Sequence, residues 1–173
     1  MTGRDRPYVA VVGSGSASED ECRAAEEVGH ELGRHGAVVV CGGLGGVMAA
    51  ACRGAKAAGA TTVAILPGDD RRAANPWVDI AIPTGLGEAR NALVVRTSDA
   101  VVAVGGEYGT LSEIALALKL GKPVVGLATW ELGPPAGGAT GAPPGARSEG
   151  RPDGIVRAND PSVAARTAVE LIR

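Results

Sequence analysis

Phenylalanine is absent from the 173 residues, and the chain has only two Trp and two Tyr. A core without aromatics must be built from Val, Ala, Leu and Ile, the composition of buried parallel strands covered by Ala-rich helices. Histidine occurs only at His30 and His35, both in one predicted helix and with no Cys or carboxylate arrangement that would make a zinc site. Both are assigned solvated or helix-terminal positions. Cys22, Cys41 and Cys52 are odd in number and share no metal-like spacing, so they read as buried thiols, and no metal site is expected. Lysine is scarce, three against fourteen Arg, and neither forms a run. With a net charge of −2 the chain exerts no long-range pull on nucleic acid or an anionic membrane, so any charged ligand must be recognised locally. A long apolar run is missing too. Residues 1–7 lead into a short apolar stretch ending at Gly13, which is neither a signal peptide nor a membrane span, and a cytoplasmic location is expected.

What the chain does have is alternation. Residues 8–12, 37–41, 61–66, 100–104 and 124–127 are short apolar runs, with weaker candidates at 78–82 and 155–157. Between them lie helical patterns at 19–35, 47–58, 87–98, 110–120 and 161–172. The first carries a Ser18/Glu21 capping box, and the last has Pro161 in its first turn. This predicts an α/β fold of Rossmann-like type over residues 1–173, a single domain with a doubly wound parallel sheet and helices on both faces. Residues 133–153 contain eleven Gly or Pro among twenty-one, too many for a regular element, and are expected to form a surface loop.

Ligands of such sheets bind beyond the carboxyl ends of the strands, and three glycine-rich turns fall there, at 13–16, 42–46 and 105–110. Glycine lets the backbone approach an anion, while the N–H groups opening the next helix point at it. Any one turn is as well explained by tight connection alone; three together point to a nucleotide-sized ligand. The dinucleotide-binding fingerprint is not met, because Cys41-Gly42 stands where an acidic residue would hold the ribose, and no Walker sequence is present.

The segment Gly105-Gly106-Glu107-Tyr108-Gly109-Thr110-Leu111-Ser112-Glu113 resembles the Pro-Gly-Gly-x-Gly-Thr-x-x-Glu motif of the LONELY GUY (LOG) family. Arg90-Asn91 lies where that family has an Arg-Lys pair, and the 42–48 stretch is similar to its first glycine-rich turn. The wording of residues 109–119 is closer still to a bacterial branch that includes molybdenum-cofactor-carrier-like proteins. The resemblance covers roughly residues 8–127 and implies a phosphoribohydrolase that cleaves nucleoside 5′-monophosphates to free base and ribose 5-phosphate, with no required cofactor. It also implies a homodimer. The alternative it leaves is a non-catalytic carrier or sensor for a nucleotide or the molybdenum cofactor.

Carried onto this sequence, the resemblance implies catalytic roles for Arg90 and Glu113. Ligand or phosphate contacts fall to Gly13, Ser14, Gly42, Gly43, Gly105, Gly106, Tyr108, Gly109 and Thr110. A carboxylate at 113 would stabilise positive charge at the anomeric carbon, and the Arg90 guanidinium would aim it or grip a phosphate. Thr110-Leu111-Ser112-Glu113 also reads as a second capping box. Trp77 reads either as packing or as a stacking surface for a base. Two departures from the family pattern, Glu107 for glycine and Asn91 for lysine, make the site more negative by two charges if both side chains face it.

Overall fold

The computed structural model describes residues 6–132, 152 and 154–172. Strand and helix alternate along most of the described chain, with β4 following β3 and β7 following β6 with no α-helix between them among the described residues: β1 (Tyr8–Gly13), α1 (Glu19–Arg34), β2 (Val38–Cys41), α2 (Val47–Ala57), β3 (Thr62–Leu66), β4 (Ile80–Pro83), α3 (Asn91–Thr97), β5 (Ala100–Val104), α4 (Tyr108–Lys119), β6 (Val124–Leu127), β7 (Ile155–Arg157) and α5 (Pro161–Glu170). The seven strands form one sheet in the order β4-β3-β2-β1-β5-β6-β7, and every pairing is parallel. The doubly wound α/β architecture expected from the alternation is the one observed.

The apolar strand runs are continuous because both faces of the sheet are covered. Side chains alternate across it: Val9 and Val11 of β1 pack with α1, α2 and α5, while Ala10 and Val12 pack with α3 and α4. On the first face α1 and α2 lie backbone to backbone. A methyl group at Gly29 would overlap the Ala51 carbonyl, and one at Gly54 would overlap that of Glu26. Bulky aromatics are not needed to fill so thin a space. Cys41 and Cys52 meet in the interior with their Sγ atoms 3.5 Å apart, and Cys22 is half-buried, so all three are free thiols. His35 caps the end of α1 and His30 is half-exposed, as assigned.

Several expected boundaries move. The helix placed at 87–98 is a 3-10 turn, Gly87–Arg90, followed by α3; the Lys122 ammonium pins the far end of α3 by donating to the Val95, Arg96 and Ser98 carbonyls. The 78–82 candidate becomes β4, shifted to Ile80–Pro83 and exposed at the sheet edge. The 110–120 helix starts earlier, at Tyr108. Apart from 152, the 133–153 loop expected from its Gly and Pro content lies outside the described residues; at its root the Ile155 N–H donates to the Leu132 carbonyl at 3.2 Å. No helix among the described residues is long and apolar enough to cross a membrane.

Candidate functional site

The turns at 13–16, 42–46 and 105–110 follow β1, β2 and β5, which are neighbours at the centre of the sheet. The chain leaves β1 toward β2 on one side and later returns to β5 on the other, so the crevice between these turns is the topological switch point of the fold. The helices that start at this edge start in two ways. Ser18 caps α1 and Asp160 caps α5, each accepting first-turn N–H groups. The residues before α2 and α4, Gly46 and Glu107, cap nothing with their side chains. First-turn N–H groups have no partner inside their own helix, so at α4 those of Tyr108, Gly109 and Thr110 are left to solvent or a ligand.

Beneath these turns lies a buried charge pair. Arg90, at the junction of the 3-10 turn and α3, is 8% exposed, and Glu113 on α4 is 6% exposed; Nη1 of the arginine stands 3.8 Å from Oε1 of the carboxylate. Burial raises the Glu113 pKa to about 7 against the opposing pull of Arg90, because at this distance the guanidinium compensates only part of the lost hydration. Arg90 also donates to Oδ1 of Asn91, and Nδ2 of Asn91 reaches Ser112 Oγ at 3.5 Å. Asn91 therefore ties the arginine to α4 where the family pattern has lysine. The guanidinium lies over Gly42: a Cβ there would come within 2.5 Å of Nη2. Nε of Arg90 is buried with no hydrogen-bond partner, a donor held ready beside the pair.

The capping-box reading of Glu113 fails. With α4 starting at Tyr108, Thr110 is already in the first turn and is buried, and Glu113 is six residues in, facing Arg90. Gly105 and Gly106, both at positive φ (53° and 108°), make the turn that starts the helix early. Proline cannot adopt the Gly105 backbone, its ring fixing φ near −65°, so the family's proline is excluded here. A side chain at Gly105 would also overlap the Glu21 carboxylate of α1.

Glu107 turns across the crevice: Ser14 Oγ donates to its Oε1 at 3.0 Å, while the same hydroxyl accepts the Ser16 N–H. The β1 and β5 turns are thus bridged by a carboxylate. Gly43 serves its own turn, donating to Cys41 Sγ and accepting from the Asn75 backbone and side chain. Gly13 lets β1 run close to Val104 of β5 and Val47 of α2. Trp77 packs against the Cys41 cluster with the Arg53 guanidinium 5.5 Å from its ring, and takes the packing role. Tyr108 is 80% exposed and stands 5.8 Å, ring to ring, from Trp130, which follows β6 at the same edge. Sequence reasoning missed Trp130; its signal was a rare aromatic just past a strand end.

The model of the SLOG cluster4 family matches residues 6–158. An uncharacterized protein of Archaeoglobus fulgidus is 48% identical over 119 residues, 69% of this chain and 78% of that one. Among solved structures, the molybdenum cofactor carrier protein of Chlamydomonas reinhardtii is 34% identical with a TM-score of 0.75, covering 96% of this chain and 98% of its own. The molybdenum cofactor binding protein of Rippkaea orientalis is 42% identical with a TM-score of 0.70, covering 72% and 77%. The likeness to LOG-like and carrier-like proteins seen in the motif thus extends to the whole fold.

Proposed function

The chain belongs to the SLOG cluster4 family, and we propose that it binds a phosphorylated heterocycle of the molybdenum-cofactor class at the switch point and acts as its carrier. One observation carries this reading. Of the helices that follow the three glycine turns, α1 is closed by Ser18 and the first N–H of α2, that of Val47, donates to the Ser14 carbonyl, whereas α4 starts after Gly105-Gly106 with no side-chain cap, a start that favours an anion. The phosphate of the cargo would lie on the Tyr108, Gly109 and Thr110 N–H groups, and Arg90 would supply charge from below. Relatives that are 34% and 42% identical carry or bind that cofactor.

The second reading is N-glycosidic hydrolysis of a nucleoside 5′-monophosphate, and the Glu113 pKa of about 7 favours it. A carboxyl group near half-protonation at neutral pH can both give and take a proton, and as carboxylate it would stabilise an oxocarbenium-like ribosyl centre. This reading needs no cofactor. A homodimer, implied by the LOG resemblance, would have exposed Ile80, Ile82, Leu86 and Leu93 to cover.

Native mass spectrometry of protein made in cells that synthesise the cofactor tests the first reading. A phosphate-bearing pterin adduct, lost on denaturation, is expected; protein without adduct under those conditions overturns it. Incubation with nucleoside monophosphates tests the second: release of free base above that of Glu113→Ala is required.

A further inference from the structure

Glu107 is exposed yet held in place by Ser14, across the gap between the β1 and β5 turns. Its side chain does not cap α4. Ser14 in turn is fixed by the Ser16 N–H, so the carboxylate rests on an ordered hydroxyl. That hydroxyl, with the first-turn N–H groups of α4, is a donor that a ligand phosphate would use. A carboxylate that holds the Ser14 hydroxyl at the residue preceding a helix start occupies one of the donors an incoming anion would use.

We propose that Glu107 is a resident anion that a phosphorylated ligand must displace, and that it thereby sets the charge specificity of the site. The inference rests on the reading that the switch point binds a phosphate-bearing small molecule. The nearby cation supports it: Arg90, nine-tenths buried, lies against Gly42 of the β2 turn and faces Glu113 with its Nε unpartnered, so the site holds a positive group inside while a carboxylate stands exposed between the β1 and β5 turns. A neutral ligand meets only the loss of one exposed hydrogen bond. A dianionic phosphate meets repulsion at close range until the carboxylate swings into solvent.

The test compares AMP and adenosine as probes, by calorimetric titration of wild type and Glu107→Gln at 50 mM and 500 mM NaCl. Glu107 is exposed, and an unchanged thermal midpoint establishes that the variant folds. Glu107→Gln is expected to tighten AMP about tenfold at low salt, the scale of one unit charge at a protein surface, with adenosine within about twofold. The gain in AMP affinity is expected to shrink at high salt, because exposed charges are screened. Unchanged or weaker AMP binding, an equal shift for both probes, or a gain insensitive to salt would overturn the proposal. AMP bound by neither protein also overturns it, whereas the carrier reading falls only if cofactor is absent from the purified protein.

Discussion

Two stretches near the start of a helix, 18–21 and 110–113, share a four-residue pattern, a hydroxyl residue followed three places later by Glu, and fold into two different things. At 18–21 it is a capping box: Ser18 accepts the Glu21 N–H at 3.2 Å, and the Glu21 carboxylate accepts the Ser18 N–H at 2.7 Å. At 110–113 no box forms, and the carboxylate is buried opposite Arg90. The difference is set upstream. Ser18 precedes its helix, while Gly105 and Gly106 turn the chain so tightly that α4 begins two residues before Thr110. Moving the cap position by three residues, from Thr110 to Glu107, converts a carboxylate that would satisfy the backbone into one that titrates near neutrality.

Replacing the second carboxylate should separate the two sites most. The native state of wild type holds the Glu113 proton up to about pH 7, while the unfolded chain releases it near 4.5. The contribution of Glu113 to stability is therefore fully present below pH 4.5, falls as pH rises through that window and is lost above 7. Glu113→Gln should flatten this fall, worth about 3 kcal/mol between pH 4 and pH 8 by urea unfolding. A fall of equal size in the variant would show that Glu113 does not carry it.

Gly105→Ala joins both sites, since its methyl would push Glu21 out of the α1 box and strain the turn before α4. A loss of about 2 kcal/mol is expected, with weaker ligand binding. In a double-mutant cycle with Glu21→Ala the two losses should be less than additive; full additivity would mean that the turn and the cap are independent. Ser18→Ala should cost the least, about 1 kcal/mol, with ligand affinity unchanged. An affinity change there would erase the distinction between a stability cap and a binding site.

Most of the fold was legible. Apolar runs at 8–12, 37–41, 61–66 and 100–104 became central strands because both faces are buried and nothing competes with their β-branched character. The edge was less clear: β4 is exposed, so its pattern is weak. Within the site, Arg90 and Glu113 were legible as candidates, and the structure brings them together. Their burial was not, because it depends on the positive φ of two glycines and on Gly42 making room for the guanidinium. Asn91 read as a lost charge, yet it acts as a tether. The Ser14 to Glu107 bridge spans 93 residues, a separation at which local pattern carries no information.

The hydrogen bond from Ile155 to Leu132 closes the connection between the last two strands at its root. The entropy of closing a loop grows only with the logarithm of its length, and doubling the span between those residues costs about 0.6 kcal/mol. β6 and β7 pair in parallel, Val124 with Ile155, Val125 with Val156 and Gly126 with Arg157. The same junction starts beside the site, since Trp130, three residues past β6, stands against Tyr108 at the mouth of the crevice, so the closing bond that costs the sheet little also fixes where this connection leaves the binding edge.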